Sequence, residues 1–250
     1  MLLTYSWVIF MIISNFSGGI TSAVATKLAL QQYPDLKILY IETGSHHPDM
    51  VRFLNECEIY FAKPIERLQS RYKDHFDVIE RTRFINGPSG ASCTKMLKIR
   101  VRQGYEYDKF IEGYIWGFDY SPSDIKRFER IKANIPEYNH YAPLIDKEIT
   151  KNEAAGIFSN SGVVLPEMYK LGYPNNNCIG CVKGGKAYWL MIQQDFPEHF
   201  DKMVKLEESI GHSCINGCFL KDLKPLKRKV KLKVVVPECG VACNQILEGF

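Results

Sequence analysis

No apolar run in this 250-residue chain is long enough to cross a membrane. The strongest, Trp7 to Ile13, falls far short of the roughly 20 residues a spanning helix needs. A secretory leader would open on basic residues and close on a small-residue cleavage site, and this run has neither. Its β-branched and aromatic residues read instead as a buried strand, with Met11 as a possible natural start. Strong charge is missing too: 32 basic against 28 acidic residues leave +4, which suits an anionic small ligand but does not by itself mark a nucleic-acid binder. No internal repeat or low-complexity tract is visible, which excludes solenoids and arrays. What remains is an ordinary globular composition, 46% hydrophobic and 24% charged, able to bury a sizeable core.

With no membrane span and no leader, a cytoplasmic protein is expected, and the eight cysteines then need a reason other than secretion. In a reducing compartment, paired cysteines serve more often as metal ligands or redox groups than as disulfides. Six fall in close pairs, Cys178 with Cys181, Cys214 with Cys218 and Cys239 with Cys243, while Cys57 and Cys93 stand alone.

Along the first part of the chain, strand-like and helix-like segments alternate. Trp7–Ile13 is followed by a helical run, Thr21 to Gln32, in which Val24 and Leu28 share a face. Leu36–Ile41 reads as a second strand, residues 48–57 as a helix opened by Pro48, Ile59–Ala62 as a third strand and Tyr114–Gly117 as a later one. This alternation predicts an α/β fold with a doubly wound, mainly parallel sheet. Residues 172–186, rich in Gly and Asn, read as a loop, Pro197 to Ile210 as a helix with Phe200, Met203 and Val204 inward, and Lys229–Val234 as a half-exposed strand. A boundary is placed near residue 170, giving a first domain over 1–170 and a Cys-containing appendage over 171–250.

The loop between the first strand and helix reads Ser14-Asn15-Phe16-Ser17-Gly18-Gly19-Ile20-Thr21-Ser22. Two glycines let its backbone turn tightly and bring N–H groups to an anion, and the helix N-terminus adds donors and a favourable dipole. It has neither the Gly-Lys-Ser/Thr of a Walker loop nor a G-x-G-x-x-G. A plain strand-to-helix turn is the alternative for any isolated Ser-Gly-Gly.

Several segments in order resemble the PP-loop superfamily and, within it, the phosphoadenosine phosphosulfate (PAPS) reductase group. Ser17, Gly18, Gly19 and Ser22 match Ser-Gly-Gly-x-x-Ser, with Thr21 where many ATP pyrophosphatases have Asp. Ile41-Glu42-Thr43-Gly44-Ser45-His46-His47-Pro48 is similar to the segment lining the adenosine pocket. Tyr114-Ile115-Trp116-Gly117-Phe118, followed by Lys126, Arg127 and Arg130, is similar to a later strand and its basic follow-on. Pro143-Leu144-Ile145 and Ile149-Thr150-Lys151 lead to Met168-Tyr169-Lys170-Leu171-Gly172-Tyr173, which resembles the group's Leu-Tyr-x-x-Gly-Tyr and runs into Cys178-Ile179-Gly180-Cys181. The likeness covers about residues 11–182, plus Glu238-Cys239-Gly240. It departs at Ser92-Cys93-Thr94, where the iron–sulfur members have tandem cysteines, and after Gly240, where the reductases' His is replaced by a run to Cys243.

The resemblance implies an enzyme that binds an adenine nucleotide (PAPS, adenosine phosphosulfate or ATP, the last with Mg²⁺) at Ser17, Gly18, Gly19, Thr21, Ser22, Ile41, Glu42, Thr43, Gly44, Trp116 and Gly117. Arg83, Lys98, Arg127 and Arg130 are candidate phosphate donors, because phosphates call for charge-assisted hydrogen bonds. In one reading Cys239 attacks the sulfur of a sulfonucleotide and a thioredoxin-type reductant releases sulfite. In another an ATP-dependent enzyme adenylates a nucleobase or small molecule, and in a third the fold is a non-catalytic nucleotide-binding partner. Cys178, Cys181, Cys239 and Cys243 suffice for a zinc ion or an iron–sulfur cluster, which their spacing does not separate. Cys93, near Lys95 and Lys98, reads as a ligand or as a nucleophile of lowered pKa. Cys214 and Cys218 read first as ordinary small residues, with an alternative set of ligands or a redox dithiol as the other readings. The run Lys221, Lys224, Lys227, Arg228, Lys229, Lys231 and Lys233 is a solvated face or a patch for RNA or DNA.

Overall fold

The computed structural model describes residues 11–224. Three strand–helix units come first: β1 (Met11–Asn15) with α1 (Ile20–Gln32), β2 (Lys37–Glu42) with α2 (Met50–Phe61), and β3 (Ile65–Gln69) with α3 (His75–Thr82). A short hairpin of β4 (Asn86–Gly87) and β5 (Gly90–Ala91) leads into a π-helix (Thr94–Ile99) and α4 (Arg100–Glu106). Then come β6 (Ile111–Ile115), α5 (Pro122–Asn134), β7 (Asn139–Tyr141), α6 (Pro143–Asp146) and α7 (Lys151–Ser159). The remainder is helical, with α8 (Glu167–Lys170), α9 (Lys186–Asp195), α10 (Pro197–Ile210) and a 3₁₀ turn, Leu220–Asp222.

The main sheet has the order β3-β2-β1-β6-β7, and every neighbouring pair is parallel. The chain starts at the centre, winds outward to β3, then returns to the other side of β1. That reversal puts a topological switch point between β1 and β6, the place where open α/β sheets hold ligands outside the strand ends.

Period-two alternation sets the two faces of the sheet. Ile38, Tyr40 and Ile115 join Ala23, Val24, Leu28, Phe53, Leu54, Ile157 and Phe158 in a core under α1, α2 and α7. Ile13, Leu39 and Tyr114 face the other way, with Tyr105 of α4 and Tyr138 packed against them. Helices thus cover both faces, as the doubly wound reading expects. A further core joins Phe76, Ile79, Ile85 and Ala91 to Trp189, Ile192, Phe200 and Met203. At its edge the fully buried Glu207 accepts the N–H groups of Cys214 and Leu220, each at 2.7 Å, and so pins the loop after α10.

The expected elements recur with shifted edges, and one reading is overturned. Ile59–Ala62, read as a strand, is the last turn of α2 and its left-handed cap, with Ala62 at φ 53°. Ile59 is 81% exposed, so that apolar run is not a buried strand, and the third strand begins at Ile65. The later strand spans Ile111–Ile115, leaving Trp116 and Gly117 just beyond its end. Pro197 opens α10 as expected, with Phe200 and Met203 buried and Val204 half-buried. The Lys229–Val234 strand lies outside the described residues, as does the part of the first strand before Met11. No helix among the described residues is long and apolar enough to cross a membrane.

Candidate functional site

The loop from β1 to α1 is knitted by one hydroxyl. Ser22 Oγ accepts hydrogen bonds from the N–H of Ser17 (3.3 Å), the N–H of Gly19 (3.2 Å) and the Ser17 hydroxyl (3.0 Å), and donates to the Gly19 carbonyl at 2.8 Å. Gly18 takes φ +74°, a region costly for a residue with a β-carbon. Thr21 and Ser22 belong to the first turn of α1, where helical geometry supplies their N–H groups with no carbonyl.

The loop is also held from a distance. The Tyr169 hydroxyl accepts the N–H of Ile20 at 3.3 Å, and the buried Asn176 donates from Nδ2 to the Gly18 carbonyl at 2.7 Å. Burial pushes the Tyr169 phenol up to about 12, so it stays protonated at neutral pH. Lys151, at the start of α7, donates to the Pro174 carbonyl (2.6 Å) and to Asn175 Oδ1 (2.5 Å), fixing the approach to Asn176. A pattern reading misses Tyr169 and Asn176 as loop partners, since they lie 149 and 158 residues away from what they hold. The only local signal was the Leu-Tyr-x-x-Gly-Tyr-like motif and the Asn run behind it.

The end of β2 forms the neighbouring wall. Gly44 N–H donates to Glu42 Oε1 at 2.7 Å, and the Tyr40 hydroxyl lies 3.3 Å from Glu42 Oε2 and 2.7 Å from His46 Nδ1. The interaction with His46, opposed by burial and joined by the Gly44 N–H, holds the Glu42 carboxyl down at about 2. Thr43 is 1% exposed, and its hydroxyl is 3.3 Å from Cys178 Sγ. The third wall follows β6, where the indole Nε1–H of Trp116 donates to His140 Nδ1 at 3.1 Å. His140 Nε2 donates in turn to the Ile135 carbonyl at 2.9 Å, which fixes its tautomer.

Cys178 and Cys181 occupy a turn braced by Tyr188, whose hydroxyl donates to the Cys178 carbonyl (2.8 Å) and accepts the Cys181 N–H (3.0 Å). The Ile179 N–H donates to the Ser45 carbonyl at 2.8 Å, tying the turn to the segment after β2. Burial, with Cys178 and Cys181 adding to it, pushes the Cys93 thiol up to about 11. The thiols of Cys93, Cys178 and Cys181 therefore share one neighbourhood. The cation acting on Cys93 is Lys183, and burial outweighs it, so the lowered pKa expected from Lys95 and Lys98 is not found. Lys98 instead sends its charge to His46 and Cys181.

The structure thus gathers Ser17, Gly18, Gly19, Thr21, Ser22, Ile41, Glu42, Thr43, Gly44, Trp116 and Gly117 around the ends of β1, β2 and β6, with Lys98, Cys178 and Cys181 alongside. Two of the other cations are committed elsewhere. Arg83 holds Ser209 at the end of α10, through the Ser209 hydroxyl at 2.9 Å and its carbonyl. Arg127 pairs with Asp124 at 2.6 Å and lies over the Phe118 ring, and Arg130 is exposed on α5. Cys214 is buried and its thiol pushed up chiefly by that burial, in keeping with an ordinary small residue. Among the described residues no group of three His, Cys, Asp or Glu converges to ligate a metal. Cys239 and Cys243 lie outside the described residues, as do Lys227, Arg228, Lys229, Lys231 and Lys233.

Residues 11–102 match the family described as the phosphoadenosine phosphosulfate reductase domain. An uncharacterised protein of Methanocaldococcus jannaschii is 24% identical over 228 residues, covering 87% of this chain and 54% of its own length. The chain thus spans about half the length of that curated relative. The crystal structure of PAPS reductase from Candida auris, a phosphate complex, is similar with a TM-score of 0.50 at 12% identity, over 70% of this chain and 84% of that one. A likeness that distant speaks for the fold alone, and that fold agrees with the domain that residues 11–102 match.

Proposed function

We propose that this protein is an enzyme that binds an adenine nucleotide (PAPS, adenosine phosphosulfate or ATP) by its phosphate or sulfate end at the Ser17–Ser22 loop and carries out sulfur-transfer or reduction chemistry on it. The observation that carries this reading is the placement of a serine-knitted glycine loop at the switch point, with the Cys178–Cys181 turn held against Thr43 beside it. A phosphate-binding loop and a set of thiols on one rim of a parallel sheet put an anion next to sulfur nucleophiles. Cys93 belongs to that thiol set, as a ligand or as a group that reacts only after losing its proton.

An ATP-dependent adenylating enzyme is the second reading, and it requires no free thiolate, which burial disfavours at Cys93. In that reading Mg²⁺ accompanies ATP, and pyrophosphate leaves.

The described thiols do not by themselves form a metal site. A four-thiol centre of Cys178, Cys181, Cys239 and Cys243, with zinc or an iron–sulfur cluster, rests on pair spacing alone. A thioredoxin-type reductant and a nucleic-acid partner for the basic run rest on the sequence in the same way.

Anaerobic purification with metal analysis, an ultraviolet–visible spectrum and calorimetric titration of the three nucleotides tests the proposal. Binding of at least one nucleotide is expected, and binding of none overturns it. Cys239→Ser separates the two roles of that residue: loss of bound metal marks a ligand, and loss of turnover with the metal kept marks a nucleophile.

A further inference from the structure

His46 is a buried imidazole that the phosphate loop and the cysteine turn do not account for. Its side chain keeps only 5% exposure, and three oxygens surround Nδ1: Tyr40 Oη at 2.7 Å, Thr43 Oγ1 at 3.3 Å and Glu42 Oε1 at 3.6 Å. The Tyr40 hydroxyl has one proton, and with Glu42 Oε2 at 3.3 Å it donates that proton to the carboxylate. Its oxygen is then left to accept from Nδ1–H. A ring protonated on Nδ1 carries its lone pair on Nε2. Nε2 has no hydrogen-bond partner among the described residues.

The position of this ring adds a second argument. Tyr40 reaches the phosphate loop, since a β-carbon on Gly18 would stand 3.4 Å from the Tyr40 ring. On the other side, Thr43 joins Nδ1 to Cys178. His46 therefore sits between the loop that would hold the nucleotide and the thiols. A carboxylate behind one imidazole nitrogen and a lone pair on the other is the arrangement that lets a histidine take up a proton and have the new charge offset.

We propose that His46, through Nε2, is the proton acceptor for the group that reacts with the bound nucleotide. The X–H bond of that group breaks, its proton ends on Nε2, and its electron pair stays on X for attack. The imidazolium is offset by Glu42 through Tyr40. This rests on the nucleotide-binding reading and adds a residue role to it.

The groups facing His46 are Tyr40 and Glu42 on β2, Thr43 beyond it, and Lys98 on the π-helix. Burial, with Lys98 adding to it and Glu42 opposing it, holds the imidazole below its ordinary pKa. The neutral ring with its lone pair thus prevails at pH 7.

Two measurements on the full-length protein test the inference. Long-range proton–nitrogen NMR of histidine-labelled protein, with His46→Gln to assign the signal, is expected to show the Nδ1–H tautomer. An Nε2–H tautomer overturns the inference whatever the protein binds. Carbethoxylation by diethylpyrocarbonate, mapped by mass spectrometry, is expected at His46 and lost with ATP or adenosine phosphosulfate bound, while the exposed His212 is modified throughout. Undiminished modification with the nucleotide bound overturns it too. Parallel calorimetry with PAPS, adenosine phosphosulfate and ATP keeps the two readings apart: if none of the three binds, the nucleotide reading falls, and the tautomer still decides for or against His46.

Discussion

A β-carbon added to Gly117 would stand 2.5 Å from Cα of Ser22, closer than real β-carbons approach backbone. The end of β6 and the first turn of α1 therefore meet at the switch point with no room between them. Gly117→Ala must push one of the two aside. Overpacking of this kind costs about 1–3 kcal/mol, read as a lower urea midpoint, and the displaced Ser22 should weaken nucleotide binding in calorimetry. A variant with wild-type midpoint and affinity would show that the contact is soft.

Gly18→Val meets two obstacles. The backbone is at φ +74°, and the new β-carbon would lie 2.7 Å from Met50 Cε and Sδ. Met50 can swing away, but the left-handed backbone costs roughly 1–3 kcal/mol for such a residue. Loss of nucleotide affinity is expected, with the rest of the fold retained by circular dichroism. Unchanged affinity would remove this loop from the binding site.

Asn176→Ala leaves the Gly18 carbonyl without its donor, and Tyr169→Phe leaves the Ile20 N–H without its acceptor. Each should lower stability by about 1–3 kcal/mol, as buried groups that lose a partner do. A larger fractional loss in nucleotide affinity than in stability is expected, because both bonds fix the loop and not the core. Denaturant titration beside calorimetry separates the two.

His75 is 2% exposed, and its Nδ1 lies 2.7 Å from the Ser45 hydroxyl. Burial pulls its pKa down to about 4, against about 6.5 when unfolded. The unfolded chain thus takes up this proton first as the pH falls. The stability that neutral His75 contributes is whole above about pH 6.5 and is lost progressively towards pH 4, by up to roughly 3 kcal/mol. His75→Gln has no such proton to gain, so its urea midpoint should fall less between pH 7 and pH 4.5. Parallel losses in both proteins would assign the acid sensitivity to other groups.

The alternation of segments was enough to foresee a doubly wound sheet, because buried parallel strands are short apolar runs and the helices between them have their own period. Ser-Gly-Gly-x-x-Ser between β1 and α1 was legible for the same reason, since the loop's requirements are local. Ile59–Ala62 misled because apolar content was taken for burial, whereas Ile59 lies on the outer face of a helix end. Arg83 looked like a phosphate donor beside its loop, yet its partner is Ser209, on an element 126 residues away. Cys93 was judged by the lysines next to it in sequence, while its pKa answers to burial and to thiols brought in by the fold. The polar network of Tyr40, Glu42 and His46 lies within seven residues, but only the bend after β2 folds it back on itself.

The Tyr188 phenol closes the Cys178–Cys181 turn with two hydrogen bonds that involve neither sulfur. Shape and reactivity are thereby assigned to different atoms. A thiol in this turn can be alkylated, oxidised or replaced by serine while the bonds that set the backbone stay in place, so defects in such variants report on sulfur chemistry. The reverse change, Tyr188→Phe, keeps both sulfurs and removes their frame.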